Sequence, residues 1–181
     1  DLTGNIISGK VSVERYINTG VGAGQHAQTW QLLSTPTVGQ SIYNSWQEGG
    51  AAISGRGAWL TGTSGSSGFD AITAGASLKY YNSATNQYTG VVNTASTITL
   101  PNGYYVFIRG DRSVKLPANT PVPTILRTTG TIYQPTAPAP SVTVPVGKFA
   151  TVGNPYASAI DLNYMKTNGY FSNLNNDVIV W

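Results

Sequence analysis

The sequence predicts an all-β fold, a jelly-roll-like β-sandwich carrying two short helices. Three observations point there. Apolar residues recur at every second position in several short segments, the period of a half-buried strand. Turn signals are dense between those segments: Gly49-Gly50, Asn102-Gly103, Asn154-Pro155 and Asn168-Gly169. Only 9% of the residues are charged and 40% are apolar, which suits a sandwich core better than a helical bundle.

The first strand runs through Lys10-Val11-Ser12-Val13-Glu14-Arg15-Tyr16-Ile17. Val11, Val13, Arg15 and Ile17 share one face, so an inward Arg15 would need a buried partner. Residues 104–109 alternate differently, because both faces are largely apolar: Tyr104, Val106 and Ile108 on one, Tyr105 and Phe107 on the other. A central strand covered on both sides has that pattern. Further strands are expected over 28–34, 57–62, 77–82, 97–100, 123–133 and 176–181. Another is expected where Val142, Val144 and Val146 alternate with Ser141, Thr143 and Pro145, at an edge or a bulge because Pro145 cannot donate to a ladder, and one more over 148–152.

Ser41 is placed to cap a helix over 42–48 that Gly49 would end, with Ile42 and Trp46 one turn apart. Ser158 is placed to cap a second over 159–167, turning Ile160, Tyr164 and Met165 inward. The glycine-rich stretch 49–68 reads as a long, partly mobile loop around Ala58-Trp59-Leu60. The Pro-rich stretch 134–140 reads as an extended crossing.

Residues 1–181 read as one sandwich-like module; a domain of this size buries about 70% of its unfolded surface. There is no cysteine, hence no disulfide and no thiolate metal site. No apolar run approaches the roughly 20 residues of a membrane helix, so no membrane insertion is expected. The formal charge of +3 is scattered, with a local basic group only at Arg109, Arg112 and Lys115. That is too dilute for a nucleic-acid footprint, and no nucleic-acid partner is expected. The start, Asp1-Leu2-Thr3, reads as a chain already processed. The end, Asp177-Val178-Ile179-Val180-Trp181, reads as a strand that following residues or a neighbour would complete.

Residues for chemistry are scarce. His26 is the single histidine and lies in a glycine-rich loop without a nucleophile elbow. The acids number seven, and Glu14, Glu48, Asp70, Asp111, Asp161 and Asp177 are isolated along the chain. Glycoside hydrolysis would need two of them to meet in space. No catalytic residue is expected. Arg109-Gly110-Asp111 could present an integrin-type ligand, or simply end a strand and turn. Asn173, Asn175, Asn176 and Asp177 form an oxygen-rich run that could hold Ca²⁺, but a single carboxylate is thin for calcium and no cofactor is expected. Trp30, Trp46, Trp59 and Trp181 sit among apolar neighbours, as core or interface residues do.

Several phrases, taken together, resemble a known family. They are Val13-Glu14-Arg15-Tyr16-Ile17, Trp30-Gln31-Leu32-Leu33-Ser34-Thr35-Pro36, Ser41-Ile42-Tyr43-Asn44-Ser45-Trp46-Gln47-Glu48-Gly49, Gly103-Tyr104-Tyr105-Val106-Phe107-Ile108-Arg109-Gly110-Asp111-Arg112 and Val152-Gly153-Asn154-Pro155-Tyr156-Ala157-Ser158. Their order and spacing resemble a β-rich module of large secreted and cell-surface proteins of Bacteroidota, proteins that often end in a type IX secretion sorting domain. The resemblance spans nearly the whole chain. It implies an extracellular, cell-surface location, a fold-determining role for Arg109 and Asp111, and more β structure after Trp181.

The expected function is therefore non-enzymatic: a structural or adhesive module of an extracellular surface protein, stalk or filament. Its partners would be neighbouring domains or copies of itself, met by strand pairing through Val178, Val180 and Trp181. The alternative is a carbohydrate-binding module of a secreted polysaccharide-degrading protein, marked by an exposed coplanar pair of aromatics and binding surface glycans.

Overall fold

The computed structural model describes residues 6–134, 141–174 and 178–179. It has the all-β, sandwich-like architecture that the alternation predicts. One sheet has the order β1-β9-β3 and the other β2-β8-β6-β7, both antiparallel. The first is built from β1 (Lys10–Ile17), β3 (Thr37–Val38) and β9 (Thr124–Ile132). The second is built from β2 (Thr29–Leu33), β6 (Leu78–Asn82), β7 (Gln87–Gly90) and β8 (Tyr104–Ile108). A two-stranded parallel ribbon pairs β4 (Thr61–Gly62) with β5 (Ala71–Ile72).

The core is assembled from both sheets and the segment between them. Ile17 and Leu126 come from the first sheet; Leu33, Leu78, Val106 and Ile108 from the second; Ile42 and Trp46 from the first helix; Ala58 and Leu60 from the glycine-rich stretch. As expected, β8 is an interior strand. Tyr104, Val106 and Ile108 are buried inward, and Tyr105 and Phe107 are half-buried on the other face. In β1, Val11 and Val13 are half-buried and Ile17 is buried, but Arg15 is exposed and needs no buried partner.

Gly130 of β9 makes room for β3. A Cβ there would lie 2.3 Å from the Gln40 side-chain oxygen and from the Val38 carbonyl. Beneath that approach lies a hydroxyl cluster, in which Thr35 bonds Thr37 and Thr128, each at 2.8 Å.

Helix α1 spans Ile42–Ser45 with Ser41 as its cap, and the Ser41 hydroxyl accepts from the Asn44 N–H at 3.1 Å. The left-handed stop begins at Glu48 (φ 62°), one residue before Gly49. Helix α2 spans Leu162–Thr167, shorter than expected, and its cap is Asp161 instead of Ser158. The Asp161 carboxylate accepts from the Tyr164 N–H at 3.0 Å, and a charged acceptor in the right place starts the helix three residues later. No residue of α2 is buried; Ile160 and Tyr164 are exposed and Met165 is half-buried, so the predicted inward face does not form.

Other expectations fail for identifiable reasons. No strand forms over 141–146: Val146 is fully exposed and no ladder partner meets the segment among the described residues. At 148–152 only an isolated bridge, Asn102 with Val152, forms; at 97–100 only Ser41 with Thr97. The stretch 49–68 is tied down, because the Gly57 N–H donates to the Ile125 carbonyl and the Ala58 N–H to the Trp46 carbonyl, both at 2.8 Å. Of the Pro-rich stretch, residues 135–140 lie outside the described residues. Among the described residues no helix is long and apolar enough to cross a membrane.

Candidate binding face and the charged residues around it

The register of the second sheet dictates which side chains share its outer face. Trp30 pairs with Phe107, Leu32 and Lys79 each pair with Tyr105, and Tyr81 pairs with Tyr88. Period-two alternation puts Trp30, Leu32, Phe107, Tyr105, Lys79, Tyr81 and Tyr88 on the side opposite the core. The rings touch in sequence. Trp30 lies 5.4 Å from Phe107 and 6.5 Å from Tyr105, Tyr105 lies 4.5 Å from Tyr88, and Tyr88 lies 5.2 Å from Tyr81. Four strands at the usual spacing make this row about 14 Å across. Trp30 is 40% exposed and Tyr88 47%, so of the core and interface roles expected for Trp30 the core one does not hold. Trp46 does fill the core, edge-on to Tyr104 at 5.6 Å.

The rings are not coplanar; neighbours are inclined by 59–68°. Cations sit over them. The Lys79 ammonium lies 4.8 Å from the Trp30 ring, the Arg109 guanidinium 5.0 Å from Phe107, and the Lys115 ammonium 5.0 Å from Trp59. Burial first, and then the Tyr88 hydroxyl, push the Tyr105 phenol up to about 12, so it stays neutral at physiological pH. Burial also lowers Arg109 from its ordinary value; its Nη1 donates to the Trp59 carbonyl at 3.3 Å and its buried Nε has no acceptor among the described residues. Trp59, Arg109 and Lys115 line a groove of about 930 Å³ beside the sheet.

The neighbouring residues of the same strand end behave differently. Asp111 and Arg112 are buried. Asp111 accepts from the Gly55 N–H at 2.7 Å, the Ser113 N–H at 2.8 Å and the Ser113 hydroxyl at 2.5 Å. Burial alone would raise its carboxyl; bonds from Ser113, Gly55 and Ser54 outweigh that and hold it below the ordinary aspartate value. Gly110 has φ 148°, and a Cβ there would lie 2.9 Å from the Val122 backbone. Arg109-Gly110-Asp111 is thus a turn whose carboxylate is sealed inside, unfit for an integrin metal site. Arg112 reaches Asp70 through Nε at 2.9 Å and Nη2 at 2.7 Å, and its Nη1 donates to the carbonyls of Gln47, Gly49 and Gly50. The other Asp70 oxygen accepts from the Leu60 N–H and the Gln47 amide. This network locks α1, the loop after it and residues 60–70 to the end of β8.

Two acids isolated in sequence do meet. Arg127 on β9 pairs with Glu14 across the ladder, at 2.5 Å, and with Glu48, at 3.1 Å. The Glu14 bond is the main reason that Arg127 is held above its ordinary value. His26 is exposed, with Nδ1 3.0 Å from the Ala27 carbonyl, in a loop closed by the Gly20 N–H to the His26 carbonyl at 2.9 Å.

Among the described residues no group of three or more His, Cys, Asp or Glu could hold a metal ion. Of the oxygen-rich run, Asn173 has φ 55°, and Asn175, Asn176 and Asp177 lie outside the described residues. Val178 is 49% exposed; Val180 and Trp181 lie outside the described residues. No family model matches the chain, and neither a curated protein nor a solved structure matches it.

Proposed function

We propose that this chain is a non-enzymatic structural or adhesive module of an extracellular surface protein, working by contact. The observation that carries this is how the ionisable groups are used. Asp70, Asp111, Glu14, Glu48 and Asp161 each hold a guanidinium, a backbone amide or a helix end. Rings and cations are what remain outward, over a sheet face and the groove beside it, and no acid among the described residues lines that groove. The resemblance to type IX-secreted Bacteroidota modules supplies the location: the bacterial cell surface, as part of an adhesin, stalk or filament. Neighbouring domains or copies of the chain would add at a strand edge; β1, eight residues long, is such an edge. The segment with Val178, Val180 and Trp181 would supply a second point of contact.

A second reading, a carbohydrate-binding module of a polysaccharide-degrading protein, is favoured by the exposure of Trp30 and Tyr88, although their row lacks the coplanar pair first expected. A bead-adhesion assay tests the main reading: beads carrying the chain should adhere to bacterial surface material, and the soluble chain should release no reducing ends from polysaccharides. Turnover of any such substrate would overturn it.

A further inference from the structure

The outer face continues past the edge of the sheet. Contacts run unbroken from Lys79 to Trp30, Phe107, Arg109, Trp59 and Lys115. Three cations and three rings thus share one ribbon, with Trp30 and Phe107 adjacent and Arg109 joined to Trp59 through its backbone carbonyl. None of these cations has a carboxylate within ion-pair distance among the described residues. The described acids are committed elsewhere, on Arg112, on Arg127, on backbone amides and at the start of α2. The ribbon is therefore aromatic and positive, and its complement is an anion with apolar surface.

We propose that this ribbon binds an acidic polysaccharide, a chain of pyranose rings carrying carboxylates. This rests on the carbohydrate-binding reading above and adds the ligand class. The apolar C–H faces of the sugar pack on Tyr88, over which no cation sits among the described residues, and on the part of Trp30 that Lys79 leaves exposed. Lys79, Arg109 and Lys115 pair with the carboxylates. A single-stranded nucleic acid fits less well, because base stacking wants open, flat ring faces. Here the rings are inclined to one another and three of them are capped by cations. A neutral glycan would leave the three cations without a partner.

The test is affinity electrophoresis and calorimetry with polygalacturonate, beside the same polymer fully methyl-esterified and an oligothymidylate. The acid form should bind, and the esterified form should bind at least about tenfold more weakly, since exposed ion pairs each contribute modestly but add along the ribbon. The double variant Lys79→Gln/Lys115→Gln should lose about fivefold to tenfold on the acid form alone, and Trp30→Ala should weaken binding to both forms. Unchanged thermal melting would show that these variants still fold. Equal binding of the acid and ester forms would leave carbohydrate binding standing and overturn the acidic ligand. Binding of neither form would overturn both. Oligothymidylate bound as tightly, with the same loss in the lysine double variant, would replace the glycan with nucleic acid.

Discussion

Arg109 and Arg112 stand three residues apart at the end of one strand and have opposite fates. Arg112 is buried, meets Asp70 through two nitrogens and donates to three carbonyls. Arg109 lies over Phe107, donates to the Trp59 carbonyl and faces no acid among the described residues. The turn at Gly110 separates them by sending one side chain inward and the other to the outer face. A cation with a carboxylate partner inside this fold organises the chain; a cation without one, seated on a ring, remains for something outside it.

That contrast breaks most sharply at the buried pair. Arg112→Ala or Asp70→Asn should cost about 3–5 kcal/mol, because each leaves an unpaired buried partner; urea denaturation would measure it. Gly110→Ala and Gly130→Ala should each cost about 1–3 kcal/mol, since backbone or side-chain atoms already occupy the space of the new Cβ. Calorimetric melting should show both.

Asp111→Asn should cost about 1–3 kcal/mol at neutral pH through lost charge-assisted bonds. The sign with pH follows from the lowered carboxyl. The native state binds the proton more weakly than the unfolded chain, so the contribution is complete above the unfolded value and fades as pH falls through the folded one. The gap between wild type and variant should therefore narrow below about pH 4. Arg109→Gln should change stability by less than about 1 kcal/mol and affect glycan binding instead. Glu14→Gln, at an exposed ion pair, should have the smallest effect, under about 1 kcal/mol and smaller still in high salt.

The sequence made the long elements legible and left the site largely hidden. β1, β2, β6, β8 and β9 carry enough alternation to be seen, and Ser41 sits where a capping residue should. β3 and β5 are two residues each, too short for any period, and β7 (Gln-Tyr-Thr-Gly) has a single large apolar residue. Val142 to Val146 alternate as well as β1 does, yet no partner strand meets them among the described residues; pattern makes a strand possible and pairing makes it real. For α2 the cap is expected from the sequence at Ser158, and the Asp161 carboxylate takes that role.

The outer face was missed because an apolar neighbourhood along the chain does not reveal which side of the pleat faces water. Trp30 and Trp59 look like core residues until Phe107 and Arg109 are placed beside them. The basic group Arg109, Arg112 and Lys115 was visible, but not its division into one buried ion pair and two surface cation–ring contacts. Arg127 meets Glu14, 113 positions away, through the β1–β9 register, and Glu48, 79 positions away, and no local signal announces either pair.

The most direct test of the claim that contact occurs on the outer face is backbone amide shift mapping during titration with polygalacturonate fragments. The expected shifts fall in β2, β6, β8 and the segment 109–116. Shifts centred on β1 and β9 around Glu14 and Arg127, or no shifts at saturating ligand, would contradict it.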